Sequence, residues 1–309
     1  MNQLEELSVF VRVAEAGGIG KAADQLGIAK SAVSRRLAEL EKRLGVQLLS
    51  RTTRKSSLTE EGQRCYEHAL RVLDVVGEFN AAVAQEDQEI SGRIRISTPS
   101  SFAINHLLPV IDQFLRQYPS IRLDMDMSDG FVDLIESGFD LAIRIGDLRD
   151  SSYQARQLAP IKTCLAASPA YLDEHGRPES IEDLNQHSFL HYGNVGTSTI
   201  KLEDKQGKLH SLNVTSKVSV NNGDFLNDLA IAGHGIVFTP TFISWQALQK
   251  GELERVLPHF DTTPRFAYAL YPKTRFLPKR VRLFIDFLAE YVGDQPYWDA
   301  QFAKVRGKR

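Results

Sequence analysis

The chain has 309 residues, 42% of them hydrophobic and 25% charged, a composition that excludes a fibrous or largely disordered protein and suits a small module joined to a larger one. A net charge of -2 conceals a division, because residues 1–60 carry ten Lys/Arg against seven Asp/Glu and residues 61–92 carry two against seven. Between Lys30 and Lys55 eight cations meet only Glu39 and Glu41, the footprint of a local phosphate-binding surface.

The N-terminus has acidic residues where a secretory signal would be basic, and no stretch reaches the roughly 18 apolar residues of a membrane span. The expected location is the cytoplasm. Leu4, Leu7, Val11 and Ala14 recur at helical steps and predict a helix over residues 4–14, broken by Gly17-Gly18. A short helix is expected from Lys21 to Leu26, with Gly27 as the turn. A third runs from Ser31 to Leu44, with Val33, Leu37, Leu40 and Leu44 on one stripe and Gly45 as its cap. The sequence reads as helix, turn, helix. Ser31, Arg35 and Lys42 lie opposite the apolar stripe of the third helix, with Ser34 on its flank. The stretch LLSRTTRKSSLT that follows suits a two-stranded wing.

Thr59 ahead of Glu60-Glu61 marks a helix start, with a hydroxyl for unpaired amides and negative charge at the positive end of the dipole. The helix is expected to reach about Glu89. Tyr66, Ala69, Leu73, Val76, Asn80 and Val83 have the heptad spacing of a helix packed along a partner helix, which points to dimerisation. After Ser91-Gly92 the pattern changes. RIRIST, IRLDMDM, DLAIRI, KTCLAA, KVSVN, GIVFTP and FAYALY read as strands, and residues 103–117, 224–232 and 279–292 as helices. Such alternation predicts an α/β domain with largely parallel sheets. Lys304–Arg309 forms a basic tail.

Cys65 and Cys164 have no paired spacing and read as reduced, structural thiols. Asp124 and Asp126 form a DxD on a strand, and alternation makes them a polar face rather than a metal site. His187 and His191 fall on a strand and loop, and no metal is assigned to them. There is no nucleophile elbow, phosphate loop, dinucleotide fingerprint or paired-carboxylate spacing. No cofactor and no enzymatic activity is expected. Thr98-Pro99-Ser100-Ser101-Phe102 joins a strand to a helix, where amides and hydroxyls either receive an anion or merely cap the helix.

The string AADQLGIAKSAVSRRLAELEKRLGVQLLSRTTRKSSLTEEG resembles the N-terminal signature of the LysR-type transcriptional regulators. The matching elements are Ala22-Ala23, Leu26, Val33-Ser34, Leu37, Leu40-Glu41, Leu44-Gly45, Leu48-Leu49, Arg51 and Leu58-Thr59. The likeness continues in GRIRISTPSSF, LLPVIDQFLRQYP, GFDLAIRIG, AASPAYLDEHGRP and AGHGIVFTP, and so covers almost the whole chain. Gly20 departs from the Ser or Thr usual before the second helix. Lys30 and Ser31 stand where the family varies its DNA-facing residues.

The resemblance implies a winged helix-turn-helix over residues 1–60, a linker and dimerisation helix over 61–92, an effector-binding domain over 93–300 and a tail over 301–309. The effector domain would be two Rossmann-like α/β subdomains similar to periplasmic binding proteins, one of residues 93–161 with 268–300 and one of 162–267. The DNA-facing set implied is Lys30, Ser31, Ser34, Arg35, Arg36, Arg51, Thr52 and Arg54, with a folding role as the alternative for Arg51. The effector set implied is Thr98, Pro99, Ser100, Ser101, Phe102, Ser128, Ile145, Gly146, Asn222, Phe238 and Thr239, with Ser128 opposing Ser100 and Ser101 across a crevice. The implied protein is a sequence-specific regulator that binds a pseudo-palindromic operator in double-stranded DNA. It would do so as a homotetramer, a dimer of dimers, and respond to a small organic acid or similar polar metabolite, with RNA polymerase a further candidate partner. The rival reading is a solute-binding or enzymatic α/β protein with an incidental N-terminal helical domain.

Overall fold

The computed structural model describes residues 3–50, 57–83, 90–130, 132–146, 153–193, 197–263, 265–273 and 277–300. The chain divides into two compact units, Met1–Arg93 and Ile94–Arg309.

The first unit contains α1 (Gln3–Ala16), α2 (Ile19–Leu26), α3 (Lys30–Leu44) and α4 (Glu60–Val83). One apolar cluster joins them, with Phe10 and Val13 of α1, Ala22 of α2, and Val33 and Leu40 of α3 fully buried. The inward face of α1 therefore centres on Phe10 and Val13, and Leu4 and Ala14 of the expected stripe are only half-buried. Helix α2 opens at Ile19, so Gly18 precedes it and Gly20 lies inside its first turn, without a side-chain cap. Gly27 and Gly45 close α2 and α3 at φ 65° and 72°, a left-handed geometry that a Cβ disfavours. Leu44, expected on the apolar stripe, is 44% exposed, because the last turn of α3 extends beyond the cluster.

Beyond α3, the Glu41 carboxylate accepts from the amides of Leu48 at 2.7 Å and Leu49 at 3.3 Å. Leu49 pairs with Leu58 in antiparallel sense, and the Ser50 amide donates to the Ser57 carbonyl at 2.8 Å. These contacts form the base of a hairpin. Thr59 then starts α4, its hydroxyl accepting from the Gly62 amide at 2.9 Å and donating to the Gln47 carbonyl at 2.6 Å. Gly62 is pressed so closely on the hairpin that a Cβ there would lie 2.0 Å from the Leu48 carbonyl oxygen.

On helix α4 the first half of the expected dimer seam faces inward. Tyr66, Ala69 and Leu73 pack, with Cys65 and Leu70, against the unit's own cluster. Val72, Val75 and Phe79 are the apolar residues left outside, at 43%, 61% and 65% exposure. The first half of the heptad stripe is thus used by the first unit itself, and Val76 is half-buried outside the cluster. The side chains of Asn80 and Val83 lie outside the described residues.

The second unit begins with β1 (Gly92–Thr98) and α5 (Ser100–Phe102), which continues through a π turn over Ala103–Leu107 into α6 (Leu108–Gln117). Then come β2 (Ile121–Met127), α7 (Leu134–Ser137), β3 (Leu141–Gly146), β4 (Tyr153–Ile161), β5 (Thr163–Ala167) and α8 (Pro169–His175). Next follow β6 (Phe189–Tyr192), β7 (Thr197–Glu203), β8 (Leu209–Val220), α9 (Gly223–Ile231) and β9 (Ile236–Pro240). The chain closes with α10 (Thr241–Lys250), β10 (Glu254–Val256), β11 (Asp261–Thr262), β12 (Arg265–Pro272) and α11 (Lys279–Val292).

These strands form two sheets, one ordered β2-β1-β3-β12-β4 and one ordered β10-β5-β9-β6-β8-β7-β11. They are mixed rather than largely parallel. Strand β1 is parallel to β3, and β6 is parallel to β8 and β9, whereas β12 is antiparallel to both β3 and β4 and β7 is antiparallel to β8. The reason lies in the crossings. The chain leaves the first sheet after Ile161 and returns at Arg265, and these two residues are register partners, so the outgoing and incoming strands run side by side in opposite directions. Arg265–Ala267 already pair in the first sheet, ahead of residue 268.

Candidate functional site

On α3 the sequence separates two jobs by angle. Val33, Leu37 and Leu40 are buried, while Lys30, Ser31, Ser34, Arg35 and Lys42 are exposed, which leaves a cationic, hydroxyl-bearing face on a rigid helix. Arg36 differs from its neighbours. It is held by Glu5 of α1 at 2.5 Å with a quarter of its side chain exposed, and Arg43 is held likewise by the buried Glu6 at 2.5 Å. The two acidic residues thus spend two of the cations on orienting α3. Arg51, Thr52 and Arg54 lie outside the described residues.

In the second unit a cavity of about 570 Å3 lies between the two sheets. The first sheet and its loops contribute Pro99, Ser101, Asp129, Arg144, Ile145 and Arg265, and the second contributes Thr163, His191, Tyr192, Lys201, Phe238 and Thr239. Apolar walls come from Phe189, Leu226, Val237 and Ile243. Arg144, Lys201 and Arg265 outnumber Asp129, the one carboxylate on the lining among the described residues. The Arg144 guanidinium donates to Ser97 Oγ at 2.8 Å and to the Gly130 carbonyl at 3.0 Å. Burial lowers its pKa, and Asp129 and Asp126 oppose that shift. It stays a charged donor.

Asp129 ties the two halves together. One carboxylate oxygen accepts from the Ser100 amide at 3.1 Å, and the other accepts from the Tyr192 hydroxyl. Burial raises the Tyr192 pKa, and the bond to Asp129 raises it further. Further out, Asn222 Nδ2 donates to Ser100 Oγ at 3.4 Å, and Asn105 Nδ2 donates to Asp224 at 2.9 Å. Gly223, at the head of α9, packs closely on α10, since a Cβ there would lie 2.4 Å from Ile243 Cδ1.

Of the residues expected around an effector, Pro99, Ser101, Ile145, Phe238 and Thr239 line the cavity, and Thr98, Ser100, Phe102, Ser128, Gly146 and Asn222 do not. Thr98 is fully buried. The Ser100 amide is occupied by Asp129, and the Asn222 carbonyl oxygen caps α9 through the Phe225 amide at 2.8 Å. Ser128 follows β2 of the same sheet that leads to Ser100 and Ser101, so it cannot oppose them across the cavity. Tyr192 and Thr239 do. Asp129, Tyr192, Lys201 and Arg265 line the cavity outside the expected set, and Arg144 does so beside the expected Ile145.

Phe102 points away from the cavity into an aromatic cluster, 5.4 Å from Phe242 and 6.1 Å from Trp298 between ring centroids. His106, in the π turn, sits at its centre, with Nδ1 2.7 Å from the Tyr297 hydroxyl and Nε2 2.9 Å from the Phe242 carbonyl. Burial lowers its pKa, so the neutral ring donates to the carbonyl and accepts from the hydroxyl. Cys164, on β5, is buried, and its thiol is pushed up to about 11 by desolvation, which makes it a packing group. His187 bonds Tyr171 at 3.3 Å, and among the described residues no three metal-binding side chains cluster. No helix among them is long and apolar enough to cross a membrane.

A helix-turn-helix with an exposed cationic face, followed by a two-sheet domain around a cavity, defines a ligand-responsive DNA-binding protein. Residues 4–63 match the family described as bacterial regulatory helix-turn-helix protein, lysR family, and residues 87–293 match the LysR substrate binding domain. The chain is 36% identical over 293 residues to the HTH-type transcriptional regulator CrgA of Neisseria meningitidis serogroup C (strain 8013), which spans 94% of this chain and 97% of that protein. It is similar to the solved structure of CrgA from Neisseria meningitidis, with 35% identity, a TM-score of 0.61 and coverage of 95% of this chain and 100% of that one. It is also similar to full-length AphB, the Vibrio cholerae virulence activator, with 32% identity, a TM-score of 0.60 and coverage of 94% and 99%. The chain belongs to the LysR family of transcriptional regulators. It is a DNA-binding regulator with an effector-binding domain, and its relatives are regulators rather than enzymes.

Proposed function

We propose that the exposed face of α3 reads the major groove of a pseudo-palindromic operator, and that an organic acid in the cavity between the sheets modulates that binding. The observation that carries the first part is the segregation on α3, where Lys30, Ser31, Ser34 and Arg35 are exposed beside a buried Val33 and Leu37. Such side chains can meet base edges and phosphates from a helix laid in the groove. The second part rests on the surplus of Arg144, Lys201 and Arg265 over Asp129 on the lining, a field that favours an anion, and on apolar walls that suit its carbon body.

Dimerisation is assigned to α4 through Val72, Val75 and Phe79, whose exposure makes a stripe at steps of three and four. A second copy of the chain is the partner that supplies the same stripe, and pairing would present two recognition helices to two half-sites. A dimer of dimers would extend this to a homotetramer, working in the cytoplasm where the operator is.

Footprinting on the promoter region beside the protein's own gene tests the reading. Two protected half-sites are expected, spaced by about 10.5 base pairs or a multiple of it, with the pattern changing when the effector is added. A single protected half-site, or protection insensitive to salt, would count against it.

A further inference from the structure

We propose that Asp129 is a tethered stand-in for the effector's acid group: its carboxylate takes the Ser100 amide and the Tyr192 hydroxyl, joins the two sheets across the cavity, and gives way only to an anionic effector that claims the same donors. The inference rests on the reading of this cavity as the effector site, and it adds how the site is regulated and which ligands it admits.

The geometry carries it in three steps. The two donors come from opposite sides, since Ser100 follows β1 of the first sheet and Tyr192 ends β6 of the second, so the single side chain of Asp129 spans the two halves. The neighbouring Ser101 hydroxyl lines the cavity, is 4% exposed and has no hydrogen-bond partner among the described residues. Buried hydroxyls are ordinarily satisfied, so this one marks a place where a ligand oxygen is awaited beside the Ser100 amide. The surroundings are also cationic on both sides, with Arg144 and Arg265 on the first sheet and Lys201 on the second, a field that attracts a second carboxylate as well as holding the first.

The clamp is exchangeable because Tyr192 is 46% exposed, and a hydrogen bond at a cavity mouth competes with water throughout. Other bonds between the halves, among them Asn105 with Asp224, Asn222 with Ser100 Oγ, His106 with the Phe242 carbonyl and Thr241 with Asp299, involve no cavity carboxylate and so remain when the acid groups exchange. A neutral ligand offers no charge to replace that of Asp129 among the cations, and a cationic ligand would strengthen the clamp. Specificity for anions follows from the competition itself.

Calorimetric titration of the full-length protein with acetate, benzoate and succinate tests this, with benzamide as the neutral control and benzylamine as the cationic one. Asp129→Asn keeps an acceptor for the Ser100 amide but removes the competing charge. At least one of the carboxylates should bind the variant about tenfold more tightly than the wild type, as expected when a closed fraction is released, while benzamide is unchanged. The gain should vanish in Asp129→Asn/Tyr192→Phe, because Tyr192 donates to the effector in turn. Carboxylates that bind wild type and Asp129→Asn equally would overturn the stand-in and leave the cavity as the effector site. A series that binds neither form, or benzylamine binding that is lost in the variant, would overturn the anionic ligand class as well.

Discussion

Helices α3 and α4 lean on the same apolar cluster, and the faces they leave outside are opposite in kind. Helix α3 exposes Lys30, Ser31, Ser34, Arg35 and Lys42, whereas α4 exposes Val72, Val75 and Phe79. Both helices have apolar residues at steps of three and four, so periodicity alone does not separate them. What separates them is the residue type on the unused face. A fixed row of cations and hydroxyls is complementary to a polyanion, and a fixed row of half-exposed apolar side chains is complementary to another such row. One unit thus carries an exposed cationic face and an exposed apolar face on two of its helices.

The contrast can be broken most strongly on α4. Val75→Asp combined with Phe79→Asp should weaken self-association by about 4 kcal/mol, from four partly exposed side chains lost per dimer, which is roughly a thousandfold in the dissociation constant. Sedimentation of the full-length variant should show smaller species at concentrations where the wild type associates, with the thermal midpoint held. Leu73→Asp sharpens the comparison from the inward side. Leu73 packs against the cluster of its own unit, so about 3 kcal/mol of folding stability should be lost, read as a lower midpoint in denaturant. An outcome in which Leu73→Asp dissociates a still-folded protein would restore Leu73 to the seam between copies.

Arg35→Ala should weaken operator binding by about 2 kcal/mol and relax preference at one base pair, measured by anisotropy on operator and scrambled DNA. A uniform loss on both DNAs would make Arg35 a phosphate contact. The smallest effect is expected at Arg36. Paired with Glu5 and largely covered, it contributes through the placing of α3, and Arg36→Ala should change operator affinity by about 1 kcal/mol or less. A loss at Arg36 as large as at Arg35 would mean that the Glu5 pair opens on DNA.

The helix-turn-helix was legible because its signals are local. Gly27 and Gly45 mark left-handed helix ends, Thr59 offers a hydroxyl at the start of α4, and Val33, Leu37 and Leu40 fall on one stripe over a single helix. The inward role of Phe10 was missed because it lies between two expected positions, Leu7 and Val11, on a face wider than the spacing pattern allows. In the second unit β7, the first half of β8 and α10 escaped notice, since KLHSLNVTSKVSV buries only Leu212 and Val214 among polar residues and reads as loop in its first half. The mixed sheet order was hidden because it follows from where two crossings lie side by side.

The cavity was half legible for a similar reason. Ser101, Phe238 and Thr239 belong to segments that turn at the ends of strands, a place that can be read from a single stretch. Asp129, Tyr192, Lys201 and Arg265 come together only when two sheets meet, and apart from Tyr192 and Lys201 they lie tens of residues from one another. Phe102, adjacent to Ser101, turned out to face the aromatic cluster because one helical step rotates it by about 100° away from the cavity.

The position of β12 sets the order in which the second unit can be completed on the ribosome. Residues 163–262 hold every strand of the second sheet and are contiguous, so that half has all its pairing partners as soon as Thr262 has emerged. The first half does not, since β3 and β4 are bridged by β12, and the pocket around His106 is closed only by Tyr297 and Trp298. The half synthesised first is therefore the half that finishes last. Until β12 arrives, β3 and β4 present open edges, which are the surfaces most prone to pair with a neighbouring nascent chain.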